Sequence, residues 1–102
     1  MNVVFICGPY RAETERGIKE NIRNAEKWAR KFWADGLAVI CPHLNSAMMG
    51  GDIPEAMFLN GYIEIVGRCD IIFVMPGWKK SEGARAEIQE ARRLGLEIIY
   101  GP

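Results

Sequence analysis

Four short runs of consecutive apolar residues alternate along the chain with three longer stretches whose apolar positions recur every three or four residues. The first run, residues 2–7 (NVVFIC), is β-branched and aromatic and stops at Gly8-Pro9, which predicts a central strand buried on both faces. Ile18, Ile22, Ala25, Ala29 and Phe32 then recur at helical spacing among Arg, Lys and Glu, predicting a helix over about residues 14–35 that ends at Asp35-Gly36. Residues 37–41 (LAVIC) predict a second strand halted by Pro42, and HLNSAMMGGD after it reads as a loop. Ala56, Leu59, Ile63 and Val66 space out a second helix opened by Ile53-Pro54, with Pro54 in its first turn. Asp70 begins DIIFVM, a third strand ended by Pro76-Gly77. Ser81 is a fitting N-cap for a last helix with the stripe Ala84, Ile88, Ala91 and Leu94 and with Gly95 as its stop, and residues 96–100 (LEIIY) supply a fourth strand.

Strand and helix in strict alternation predict an α/β fold: a small doubly wound parallel sheet of about four strands, flavodoxin- or Rossmann-like, in three layers. Sheets of this kind bind ligands beyond the carboxyl ends of their strands, where strand order reverses. The loops GPYR, CPHLNS and PGWKKSEGA all follow strand ends, so the three are expected to meet there. The fourth strand closes the pattern and leaves an edge or face for a partner subunit, which points to a homo-oligomer, a dimer or tetramer.

Composition narrows the functional classes. The 102 residues are 49% apolar, enough for one domain with a modest core and too few for two. Lys plus Arg equals Asp plus Glu at 13 each, so no overall field favours a nucleic acid polymer or an anionic membrane, and any phosphate site must be local. The apolar start is too short for a signal peptide, and no segment approaches the ~20 apolar residues of a membrane span. Cys7, Cys41 and Cys69 are odd in number and lie beside strand-like runs, as reduced, buried thiols of a cytoplasmic protein would. One histidine and no Cys-x-x-Cys pair leave a zinc site short of ligands.

Candidate chemistry gathers in the predicted loops. In Ser81-Glu82-Gly83-Ala84 a serine cap followed by small residues exposes backbone N–H groups at a helix start, a small anion site; equally, Ser81 simply caps and Gly83 permits close packing. The string lacks the Walker spacing of glycines and lysine, so triphosphate hydrolysis has no support. Glu87 lies between Ala84 and Ala91 on the face that otherwise turns inward, about one and a half turns into the helix, so its carboxylate could reach a ligand whose anionic end sits at the helix start. The plainer alternative is a glutamate at the margin of the stripe that reaches solvent or an arginine. Gly8-Pro9-Tyr10-Arg11 offers a phenol and a fixed cation at the same edge, although Tyr10 serves equally as a packing residue. His43, with Asn45 beside it in CPHLNS, is a general-acid candidate or a hydrogen-bonded structural group. Trp78 stacks on a base or sugar, or covers the sheet edge. Met48, Met49, Met57 and Phe58 line an adaptable pocket or a subunit contact, and Trp28, Phe32 and Trp33 read as core or interface.

Strand-GPYR, a helix with N-x-x-x-A, CPHLNS, RCDIIFVMPGW and S-x-G-A-x-x-E-x-x-x-A together resemble the nucleoside 2-deoxyribosyltransferase-like superfamily, in particular its short phage and bacterial members, in order over nearly the whole chain. Ser81, Gly83, Glu87 and Ala91 carry the most specific part. The resemblance implies a retaining N-glycosidase or 2-deoxyribosyltransferase acting on a nucleoside or nucleotide. Glu87 would attack the anomeric carbon to form a glycosyl-enzyme that water or another base resolves, with no metal or redox cofactor. It further implies that Tyr10 orients the nucleophile, that the Ser81–Gly83 turn receives a 5′-phosphate and that Arg11 adds charge there; Gly8, His43, Asn45, Trp78 and Ala84 complete the substrate-binding set. One position departs from the pattern: where relatives carry an aspartate in the helix before the third strand, this chain has Tyr62. Glu64, Asp52, His43 or a neighbouring subunit could take over that role, or the fold could serve as a non-catalytic nucleotide-binding or sensing module. Asp70 reads as structural, at the start of its strand.

Overall fold

The computed structural model describes all 102 residues. Strands β1 (Val3–Cys7), β2 (Ala38–Ile40), β3 (Ile71–Val74) and β4 (Glu97–Tyr100) form one sheet in the order β2-β1-β3-β4, every pairing parallel. The two continuously apolar strands, β1 and β3, take the centre, paired from Val4↔Ile71 to Cys7↔Val74. Both faces are covered, as runs without alternation require. Helix α1 (Glu15–Ala34) packs on one face, where Ala25 and Ala29 meet Val4, Ile6 and Phe73. Helices α3 (Glu55–Val66) and α4 (Glu82–Leu94) pack on the other, where Val66, Ile88 and Ala91 meet Phe5, Ile72 and Val74. The fold is the small doubly wound three-layer α/β sheet expected from the alternation. Each fully buried Phe5, Ile72 or Ile88 contributes roughly 1.5–3 kcal/mol through apolar burial. No helix is long and apolar enough to cross a membrane.

Local signals set the helix ends. The Thr14 side chain accepts from the Gly17 amide at the start of α1, and Ser81 accepts from the Ala84 amide at the start of α4. Gly95, with φ 74°, closes α4 in the left-handed conformation that glycine adopts without a Cβ clash. Asp70 accepts from the Val3 amide at 2.8 Å, tying the starts of β1 and β3 together, so its role is structural as its position implied.

Three details depart from the sequence reading. Part of the expected loop after β2 is a short helix, α2 (Pro42–Asn45), since Pro42 removes only an amide that a helix start leaves unpaired. Pro54 is the extended cap before α3, not a member of its first turn. Trp78–Lys80 form a 3₁₀ turn that begins at Gly77, φ 89°. Of the aromatic trio in α1, Trp28 and Phe32 pack on Phe73 with centroids 4.7 and 5.0 Å away, whereas Trp33 is exposed.

Candidate active site

Strand order reverses between β1 and β3, and the loops beyond their carboxyl ends converge on Pro9. The His43 Nε2 atom lies 3.0 Å from the Pro9 carbonyl, joining α2 to the GPYR loop. A Cβ on Gly77 would stand 3.3 Å from Pro9 Cγ, so the PGW turn packs against the same proline. The expected meeting of three loops is therefore present. Gly8 is fixed by packing at this point: a Cβ there would come within 2.5 Å of Met75 Cε and 2.9 Å of Met75 Cβ.

Helix α4 carries Glu87 into this end of the sheet. The residue is only 9% exposed, and its carboxylate forms no ion pair. Burial pushes its pKa up to about 7, opposed by hydrogen bonding from the Cys7 thiol. Cys7 is fully buried at the end of β1, and its Sγ also lies 3.5 Å from the Ala84 carbonyl. Burial and the neighbouring carboxylate hold that thiol far above its usual range, so it remains an S–H donor. At the start of α4, more than one and a half turns above Glu87, the Ser81 hydroxyl is spent on the Ala84 amide at 3.2 Å, while the Glu82 and Gly83 amides have no partner in the chain. A Cβ on Gly83 would make only an ordinary contact, 3.8 Å from Leu59. Packing within the chain thus does not demand a glycine there.

The other residues of the set divide. Tyr10 is exposed and its ring leans on His43, centroids 6.0 Å apart; no hydrogen bond joins its hydroxyl to Glu87. Arg11 forms an exposed ion pair with Glu55 at the start of α3. His43 is 4% exposed, burial pushes its pKa below the ordinary value against the pull of the Pro9 and Gly8 carbonyls, and its Nδ1 has no partner. Asn45 donates to the Tyr62 hydroxyl at 3.1 Å, and that hydroxyl donates to Ser46 Oγ at 2.7 Å. Tyr62 is buried edge-on to Phe5 and fixes the α2 segment, which accounts for a tyrosine at this position. Glu64 pairs with Arg68 on the surface, and Asp52 is exposed. Trp78 covers the β4 edge, its ring 5.7 Å from that of Tyr100. A shallow cleft lined by Pro9, Asn21, Asn24, Trp28 and Pro76 opens on the α1 side and does not include Glu87. No group of three His, Cys, Asp or Glu side chains converges as metal ligands would.

Over residues 2–101 the sequence matches a family described as a domain of unknown function, DUF7768. The chain belongs to the DUF7768 family. No curated protein matches it. Within this DUF7768 domain sequence reasoning missed Cys7 as a neighbour of Glu87 and Pro9 as the point where the loops meet. The only signal for either was position: both residues lie at the end of the most apolar run.

Proposed function

We propose that this protein is a retaining N-glycosidase or 2-deoxyribosyltransferase acting on a nucleoside or nucleotide, with Glu87 as its nucleophile. The observation that carries this reading is a buried carboxylate without a counter-ion at the strand switch point, below unpaired amides at the start of a helix. A structural glutamate has no reason to bear that burial cost, whereas a nucleophile that stabilises oxocarbenium-like charge gains from a desolvated site. The Glu82 and Gly83 amides suit a 5′-phosphate, with Tyr10 and Arg11 on the facing loop. In the first step a Glu87 oxygen bonds to the anomeric carbon as the glycosidic bond breaks and the base leaves with its bonding pair, taking up a proton. In the second, water or another base displaces Glu87 from the opposite side.

The test is incubation with a panel of nucleosides and nucleotides, and with a mechanism-based fluorinated sugar, followed by mass spectrometry. Released base and an adduct on Glu87, both abolished by Glu87→Gln, are expected; neither base nor adduct would sink the idea.

A second reading, a nucleotide-binding or sensing module without turnover, is favoured by Tyr62. Its hydroxyl is committed to Ser46 and Asn45 and supplies no acid to a leaving base. Under that reading Glu87→Ala leaves nucleotide affinity intact while Arg11→Ala and Ser81→Ala weaken it. Self-association belongs to either version. Leu44, Met48, Met49, Ile53 and Met57 are exposed on α2, α3 and the segment between them, and sedimentation should show a dimer or tetramer rather than a monomer.

A further inference from the structure

From Gly8 to Glu13 the backbone makes no hydrogen bond to any other backbone group. Three successive carbonyls of this loop are met by two side chains instead. His43 Nε2 of α2 reaches the Pro9 carbonyl, and the side-chain amide nitrogen of Asn21 in α1 donates to the next two, Tyr10 at 3.0 Å and Arg11 at 3.3 Å. Two acceptors side by side call for the two hydrogens of one NH₂ group: aspartate has none to give, and glutamine carries its own a methylene further out. The loop comes within reach because it folds back on the first turn of α1, where a Cβ on Gly17 would stand 2.6 Å from Ala12 Cβ. Gly17 and Asn21, four residues apart, share that side of the helix. Asparagine is a poorer helix former than alanine, and Asn21 lies in the second turn of α1, past the amides that a cap could serve. The loop, not the helix, accounts for an asparagine here.

We propose that Asn21 is a positioning residue for the GPYR loop, its amide fixing the backbone of Tyr10 and Arg11 so that the loop is already ordered when a ligand's anionic end enters between it and the start of α4. The part played by a ligand rests on the proposed function; the hold on the loop does not. The remaining ties do not replace the amide. His43 reaches only Pro9, the packed residues Gly8 and Ala12 lie on either side of the pair, and the ion pair from Arg11 to Glu55 is exposed and worth little. Without Asn21 both carbonyls turn to water and the two residues regain backbone freedom, which binding must then remove again, lowering affinity. The N-x-x-x-A string of α1 thereby divides its work: Asn21 holds the loop, and Ala25 packs on the sheet.

The test compares the full wild-type chain with Asn21→Ala and with Asn21→Asp, which keeps the size of the side chain but has no hydrogen to donate. Nitrogen-15 relaxation reads the loop with no ligand present: the heteronuclear NOE of the Tyr10 and Arg11 amides should fall in both variants, while the amides of β1 and of the body of α1 keep their values. Unmoved Tyr10 and Arg11 amides overturn the proposal. Calorimetry with a nucleoside monophosphate reads the consequence, expected as an affinity weaker by about threefold or more in Asn21→Ala. An asparagine that served only the stability of the fold would shift the melting temperature and leave both the loop amides and the affinity in place. A wild type that binds the monophosphate no more tightly than Asn21→Ala does also overturns the positioning role. Should one variant fail to fold, the other decides by the same readings. A wild type that binds no nucleotide, with the loop amides loosened in the variants, would refute the function and leave the hold of Asn21 on the loop intact.

Discussion

Glu87 sets a pH dependence whose sign follows from its burial. Its pKa is raised from 4.5 unfolded to about 7 folded, so the folded state binds the proton more tightly, and stability from this group is fully present below about 4.5 and lost as pH rises through 7. The difference amounts to about 3 kcal/mol, an upper value given the remaining solvent contact. Glu87→Gln should therefore raise the melting temperature at pH 8 and change it little at pH 4; destabilisation at pH 8 would contradict the burial cost. Under the proposed function, kcat/KM should fall on the acid side of about pH 7, where Glu87 becomes protonated. The thiols provide a separate check. Burial pushes Cys7, Cys41 and Cys69 all upward, Cys69 to about 11, so a thiol reagent at pH 7.5 should label the folded protein slowly and all three cysteines rapidly in denaturant.

At the scale of the element, the start of α4 separates stability from binding. Ser81→Ala removes the acceptor for the Ala84 amide and should cost about 1 kcal/mol, read as a lower denaturation midpoint. Gly83→Ala adds a methyl group that meets only Leu59 at 3.8 Å and gains up to about 1 kcal/mol of helix propensity. It should raise the melting temperature while weakening binding of a nucleoside monophosphate, measured by calorimetry; unchanged binding would remove the phosphate from this turn. The elements themselves were legible in the sequence wherever a period or a cap was local, as with Thr14, Ser81 and Gly95. The α2 helix was not legible, because four residues carry no period and Pro42 reads equally as a stop and as a start. Nor was the cap at Pro54, which differs from a first-turn proline only in backbone angle.

For the whole molecule, the alternation of apolar runs dictated a parallel sheet, and the most apolar strands took its centre. The neighbours of Glu87 were hidden for the same reason that the fold was visible: side chains far apart in the chain meet only once strand order is set. Cys7 and Ala84 are 77 residues apart, and Tyr62 meets Ser46 across 16. That second contact predicts that Tyr62→Asp, which restores the residue type the resemblance expects, will not restore an active acid. It should cost several kcal/mol by burying a charge against Phe5 and releasing α2, seen as a large drop in denaturation midpoint.

The tie between Val3 and Asp70 spans 67 residues, and β1 has no neighbour in the sheet until β2 and β3 exist. During synthesis the first strand gains one neighbour, β2, by residue 40, but its other neighbour, β3, only after residue 70, so one of its edges waits unpaired for most of the chain to emerge. Nothing local rewards its order until those distant partners arrive, so folding is late, cooperative and slow for a chain this short. A nascent chain stalled before residue 71 should remain protease-sensitive throughout, and protection should appear in a single step only once α4 and β4 have cleared the ribosome.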